Sequence, residues 1–463
     1  MPKCSGSAVV KRGQDMISRW RLRERLEEEI QFFERTHPKA RTLFEQAQKS
    51  LLDGVPMNWM VKWAGGFPVF VTSGQGSRFS DVDGRDYIDF CMGDTGSMTG
   101  HGPEALIEAV SARVHEGTTF MLPTEDAIWV GEELQRRFHL RYWQMALTAT
   151  DANRFAIRLA RHITGRPKIL VFNWCYHGTV DESFITLTPE GPKARSGNLG
   201  PPVDPAVTTK VVEFNDVAAL REALEPQDVA CVLAEPVMTN IGIVHPEAGF
   251  HQILRELTQE TGTLLIIDET HTLCAGPGGY SGLHHLKPDF LTVGKAIAGG
   301  IPGAVYGFSE AVAKKIREKS SLADADTGGI GGTLAGNALS LAAMRATLGY
   351  VLTPEVYQHT DRIAERFLQG IREAIEEFQV PWNVTRLGSR VEYWFRPVPA
   401  RNGTEAALAV DPELDRYMHL YSLNRGILMT PFHNMALMAP TTSESDVDTH
   451  TEVFRSALSS LLD

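Results

Sequence analysis

Cysteine is scarce in this chain, and basic charge is outweighed by acidic. The five cysteines (Cys4, Cys91, Cys175, Cys231 and Cys274) are scattered, odd in number and never at metal-ligand spacing. That pattern argues against a disulfide framework and against a cysteine-built metal centre, and it fits a reduced, cytoplasmic protein. Lysine and arginine number 45 against 57 aspartates and glutamates, a net charge of −12, which argues against a nucleic-acid or anionic-membrane surface. No run approaches the roughly 20 apolar residues needed to span a bilayer. The first residues, MPKCSGSAVVKRGQDM, hold no apolar core of signal-peptide length. Internal repeats and low-complexity tracts are absent as well. Small molecules, rather than nucleic acid or membrane, are therefore the expected partners.

What is present is an ordinary globular composition, 43% hydrophobic and 22% charged, spread over 463 residues. That length exceeds one core of usual size and predicts at least two domains. Residues 1 to about 15 read as a loose tail. From Ile17 to about Leu52 the chain is charged and helix-forming, with Pro38 expected to interrupt it because proline removes a helix N–H and clashes with the preceding turn. A hairpin is predicted in PVFVTSGQGSRFSDVDGRDYIDF, with Asp83-Gly84 at its turn. From about Gly100 to 345, helical stretches alternate with short apolar runs: MALTA, KILVFN, TKVVEF, VACVLAEP, TLLIIDET, FLTVGK and AVYGFS. Runs this apolar predict seven strands buried on both faces, hence a mostly parallel sheet wrapped by helices, with ligand groups at the carboxyl ends of the strands. The expected fold class is α/β. Residues 78–345 should form a large domain. The segments 1–77 and 346–463 should combine into a smaller α+β domain.

Two strand ends carry chemistry. Asp268 closes the run LLIIDE, and Lys295 closes FLTVGK ahead of the Gly-rich turn AIAGGIP. A lone Asp or Lys at a strand end is usually solvated. Here both sit at ends of buried strands of one predicted sheet, where either would be costly unpaired. Pyridoxal 5′-phosphate (PLP) uses this combination. A desolvated lysine amine forms a Schiff base with an aldehyde, and a carboxylate beside the pyridine nitrogen keeps that nitrogen protonated so that the ring accepts electrons.

From FSDVDGRDYIDF through GHGPEAL, RLARHITGRPKILVFNWCYHGT and the Asp268 and Lys295 regions to GGTLAGNALSLAA, the chain resembles the class III aminotransferases of PLP fold type I, and among them the glutamate-1-semialdehyde aminomutase-like branch. The resemblance covers nearly the whole chain. It implies that Lys295 is the Schiff-base lysine and Asp268 the pyridinium partner. Tyr176 matches the aromatic stacked on the ring, followed by His177 and Gly178; an ordinary core aromatic is the plainer reading of Tyr176. Glu235, in LAEPVMTN, matches a family glutamate near the aspartate, or else serves a local strand-end network. The family's phosphate loop usually reads Ser-Gly-Thr-Glu-Ala; here Thr148-Ala149-Thr150-Asp151-Ala152 precedes a helix. Small residues, hydroxyls and a helix N-terminus still suit an anion, and Thr148 or Thr150 can equally cap the helix. Thr333, in GGTLAGN, matches the threonine that reaches the phosphate of a neighbouring subunit, which implies a homodimer; a flexible turn is the alternative.

Two positions depart from the family pattern. Thr270 and His271 stand where valine and glutamine are common. A hydroxyl under the ring and an imidazole hydrogen-bonded to the ring oxygen are one reading, scaffolding and space-filling the other. On the substrate side, the segment GILMTPFHNMALMAP lacks the arginine with which many relatives clamp a carboxylate. Lys62 in the loop VPMNWMVKW offers a point charge, not a fork. Arg390, in GSRVEYWF, is the remaining candidate, with a structural ion pair as its alternative. Met57 and Trp59, with Met60 and Trp63, make that loop apolar, either to line a pocket for a bulky group or to pack the core.

The expected activity is amino transfer from an amine or amino acid with an apolar side group to a keto acid such as pyruvate or 2-oxoglutarate. The alternatives are an aminomutase or racemase on the same scaffold, and a non-catalytic protein of this fold.

Overall fold

The computed structural model describes residues 17–319, 328–431 and 433–462. The tail expected over residues 1 to 15, Cys4 included, lies outside them. The chain forms two compact units. The sheet unit holds Glu104–Tyr357 with Ala400–Leu408. The terminal unit holds the chain up to Pro103, Gln358–Pro399 and the segment from Ala409.

The sheet unit is built on seven strands, numbered here in chain order: β1 (Tyr142–Ala146), β2 (Lys168–Phe172), β3 (Thr209–Val212), β4 (Val229–Ala234), β5 (Leu264–Asp268), β6 (Phe290–Val293) and β7 (Ala304–Phe308). Their spatial order is β1-β7-β6-β5-β4-β2-β3. Strand β7 runs antiparallel to both neighbours, β6 and β1, and every other pairing is parallel. Each of β4, β5 and β6 is buried at every residue, as continuous apolar runs covered on both faces must be. The helix Ala149–Thr164 lays Ala152, Phe155, Ala156, Leu159 and Ile163 against the sheet. Each large apolar side chain so buried contributes roughly 1.5–3 kcal/mol.

In the terminal unit, Pro38 occupies the first position of a second helix, Pro38–Ala47, which follows Arg19–Thr36. Its missing N–H is one that no helix uses there. The strands Arg78–Asp81 and Asp86–Asp89 pair as an antiparallel hairpin around Gly84, whose φ of +82° suits glycine. Ile427–Leu428 joins that sheet in parallel beside Asp86–Asp89, and Arg390–Trp394 is the centre of a separate three-stranded antiparallel sheet. One core draws on both ends of the chain, with Phe33, Tyr87, Phe90, Phe367, Tyr417 and Phe454 within it. Among the described residues no helix is long and apolar enough to cross a membrane.

Candidate functional site

The parallel register of β5 and β6 sets Asp268 beside Thr292, three residues before Lys295. On the other side β5 pairs Ile267 with Ala234 of β4, so Glu235 follows at the same edge of the sheet. The carboxyl ends of three adjacent strands thus bring Glu235, Asp268 and Lys295 to one rim, where open α/β sheets bind ligands.

Asp268 is buried and fully engaged. Its Oδ2 accepts from His177 Nδ1 at 2.9 Å and Asn153 Nδ2 at 2.8 Å, and its Oδ1 accepts from the Thr270 N–H at 3.0 Å. Asn153 also donates to the His177 carbonyl at 3.1 Å and accepts from the Thr292 hydroxyl at 2.7 Å. Burial alone would raise the Asp268 pKa, but the His177 imidazole, the Thr270 side chain and the Asn153 amide hold it down at about 2. His177 moves the other way. Burial opposes its charged form, yet the Cys175 sulfur and the Asp268 carboxylate outweigh that and raise it to about 10. The pair is a carboxylate facing a proton-bearing Nδ1 inside the protein.

Lys295 stands in the left-handed region, at φ +51°, which costs a non-glycine residue roughly 1–3 kcal/mol and marks functional sites. Its Nζ lies 2.8 Å from His271 Nε2. The preceding peptide is pinned as well, since the Gly294 N–H donates to Thr270 Oγ1 at 3.2 Å. Thr270 is therefore a tie between two strand ends, with its N–H on Asp268 and its hydroxyl on the Lys295 turn. Gly294 is required where it is, because a Cβ there would come 2.9 Å from the Ala149 Cβ and 3.0 Å from its backbone nitrogen.

Ala149 opens the helix Ala149–Thr164. Thr148 is its N-cap: its Oγ1 accepts from the Asp151 N–H at 3.1 Å and donates to Asp151 Oδ2 at 2.9 Å. Thr150 Oγ1 accepts from the Thr179 N–H at 2.9 Å. A side chain at Gly178 would run into Thr150, so the loops after β1 and β2 close on each other. The first turn of a 16-residue helix thus faces the Lys295 turn with its partial positive charge. Tyr176 is half-buried on the second of these loops, edge-on to Phe184 at 6.2 Å. Glu235 Oε2 accepts from the Thr239 N–H at 3.2 Å and from the Thr239 hydroxyl.

Thr333 is exposed on a Gly-rich turn before the helix Ala338–Ala346. Met57, Trp59, Lys62 and Arg390 belong to the terminal unit. There Met57 Sδ accepts from the Trp59 N–H at 3.2 Å at the start of a short turn of helix. Lys62 is exposed and lines a cavity of about 430 Å³ with Trp63, Asp415, His419 and Met429. Arg390 is 1% exposed, and its guanidinium donates to the Thr95 hydroxyl.

An ionised carboxylate, an amine on a strained backbone and a helix N-terminus, gathered at one sheet rim, match the ring nitrogen, the aldehyde and the phosphate of PLP. The family model of class III aminotransferases matches residues 60–458. The chain belongs to the class III aminotransferases. It is a PLP-dependent enzyme of fold type I within that family. A glutamate-1-semialdehyde 2,1-aminomutase from Persephonella marina is 33% identical over 417 residues, which covers 88% of this chain and 95% of that protein. The crystal structure of a glutamate-1-semialdehyde aminomutase from Pseudomonas aeruginosa PAO1 superposes with a TM-score of 0.94 at 47% identity, covering 96% of this chain and 100% of that one. An omega-transaminase from Sphaerobacter thermophilus is similar at 27% identity and a TM-score of 0.84, over 92% and 98% of the two chains.

As a class III aminotransferase the chain carries polar residues that sequence reading passed over. Asn153 lies in the apolar stripe of its helix, and Thr292 in the apolar run FLTV. A lone amide or hydroxyl in such a stripe is the signal that was there to be read, since buried polar groups need partners.

Proposed function

We propose that this enzyme is an aminomutase that moves an amino group within one substrate of the glutamate-1-semialdehyde type, with intermolecular transfer to a keto acid as its secondary capacity. The observation that carries the first reading is the 47% identity, over the whole of that chain, with a protein described as a glutamate-1-semialdehyde aminomutase. The apolar loop around Met57 and Trp59 and the likeness to an omega-transaminase support the second.

PLP, when bound, supplies a ring that accepts electrons from the carbon losing its proton. Lys295 would bond the cofactor and, as the free amine, would carry a proton between the substrate carbon and the cofactor, acting as base and then as acid. Asp268, held ionised by His177, Asn153 and Thr270, keeps the ring nitrogen protonated. Tyr176 covers the ring, and Glu235 buttresses the neighbouring strand end. The first turn after Thr148, with Ala149 and Thr150, receives the phosphate. On the substrate side we assign Met57 and Trp59 to the apolar wall, and Lys62 and Arg390 to carboxylate charge.

We take the enzyme to be a cytoplasmic homodimer in which Thr333 reaches the partner's phosphate. Exposed apolar residues of the sheet unit, among them Ile107, Val114, Phe120, Met121, Leu122 and Ile128, support an interface. None of the described cysteines is in a disulfide, which supports a reducing compartment.

The test is turnover of glutamate 1-semialdehyde with no keto acid present. An aminomutase yields the isomer with nitrogen on carbon 1 and a ketone at carbon 2. If product forms only after pyruvate or 2-oxoglutarate is added, the aminomutase reading is wrong and intermolecular transfer takes its place.

A further inference from the structure

The His271 ring meets the Lys295 amine, Nε2 to Nζ, at 2.8 Å. His271 follows directly on Thr270, whose N–H and hydroxyl are both spent on strand-end ties. On its other side the chain turns into the short helix Thr272–Ala275, where the Leu273 N–H donates to the Glu269 carbonyl at 2.8 Å. Glu269 anchors that turn from beneath. Its buried carboxylate accepts from the Thr272 hydroxyl, from the Tyr280 N–H at 3.0 Å and from the Ser281 N–H at 2.5 Å. Two consecutive residues thus reach two consecutive residues: Thr270 holds the Gly294 peptide, and His271 holds the Lys295 amine.

We propose that His271 is the positioning residue for Lys295, catching its amine through Nε2 whenever that amine is not bonded to the cofactor. This rests on the reading of Lys295 as the cofactor-bonding lysine. With its hydrogen on Nδ1, the His271 ring presents the Nε2 lone pair to the amine. Lysine carries its amine on a flexible four-carbon stem that samples many rotamers. A fixed acceptor 2.8 Å from Nζ removes that freedom at the rim where the amine must act. The backbone strain at Lys295 and the tie from Gly294 to Thr270 aim the stem; His271 aims its tip.

The experiment compares wild type, His271→Leu and His271→Gln as full-length chains freed of PLP and exposed to trace acetic anhydride. Acylation of Lys295 is measured by mass spectrometry against the exposed Lys314. Losing one hydrogen bond should raise the Lys295 labelling rate about fivefold in His271→Leu, and His271→Gln should stay near wild type. In the PLP-loaded enzymes, kcat should fall about tenfold in His271→Leu with KM unchanged, and glutamine should restore most of it. Equal labelling of Lys295 in all three chains would overturn the proposal. Should His271→Leu fail to fold, histidine ¹⁵N resonances decide the matter, with His271→Gln providing the assignment. The Nε2 signal must move in Lys295→Ala, and an unmoved signal counts against it. Borohydride trapping of PLP on Lys295 tests the underlying reading separately, since trapping elsewhere would sink that reading and leave the labelling result standing.

Discussion

Asp268, at the end of β5 in the sheet unit, and Asp415, on the helix Pro412–Asn424 of the terminal unit, are both carboxylates drawn out of water. The first is surrounded by donors, namely the His177 imidazole, the Asn153 amide and Thr270, and its pKa is held at about 2. For the second, burial wins. The Asn434 amide donates at 2.9 Å, but Asp411 and Glu392 are acids themselves, and the group is pushed up to about 7. Withdrawal from water thus leaves an anion in one unit and a carboxyl of raised pKa in the other. The number and sign of the neighbours decide which, as expected when desolvation and hydrogen bonding oppose each other. A site that must present charge to a ligand has to bring its donors with it.

The largest expected effect is on chemistry. Lys295→Ala should lower turnover by on the order of 10⁴-fold or more, measured as single-turnover product formation; residual activity within tenfold of wild type would remove lysine from the mechanism. Next comes the buried pair. Asp268→Ala leaves His177 and Asn153 buried without their partner and should cost about 3–5 kcal/mol of stability in urea unfolding of the PLP-free chain. Asn153→Ala removes one donor to Asp268 and the acceptor of Thr292, for about 1–3 kcal/mol in the same assay. The smallest effect has the opposite sign. The Asp415 carboxyl has an unfolded value near 3.8 and a folded one of about 7. The folded state therefore binds the extra proton between those values, and stability falls as pH rises through that window. Asp415→Asn should accordingly raise stability at pH 8 and leave it nearly unchanged at pH 4. A stabilised variant at both pH values, or at neither, would mean that the two carboxylates do not differ as described.

Much of the sheet unit was legible because its strands are continuous apolar runs. Seven such runs predict seven strands, and a polar residue closing a run marks its carboxyl end, as Asp268 does. The antiparallel turn of β7 was not legible, since AVYGFS is as apolar as its parallel neighbours. Nor was the second layer of the site. Asn153 reaches Asp268 across 115 residues, and Thr292 reaches Asn153 across 139. Partners so distant are set by sheet order and register, which no local pattern encodes. His271 is the intermediate case. Its departure from the family pattern was visible, but its direction depends on the turn that Glu269 anchors, and it faces the Lys295 amine.

The left-handed backbone at Lys295 bears on how this protein would age. Glycine adopts that conformation at no steric cost, and asparagine at little. A gene copy released from duty would gain stability by drifting to either, through single substitutions that leave the fold intact. Lysine survives at such a position only while its amine is continually tested by selection. In any descendant of this chain, the identity of residue 295 is therefore a one-letter record of whether the enzyme is still at work.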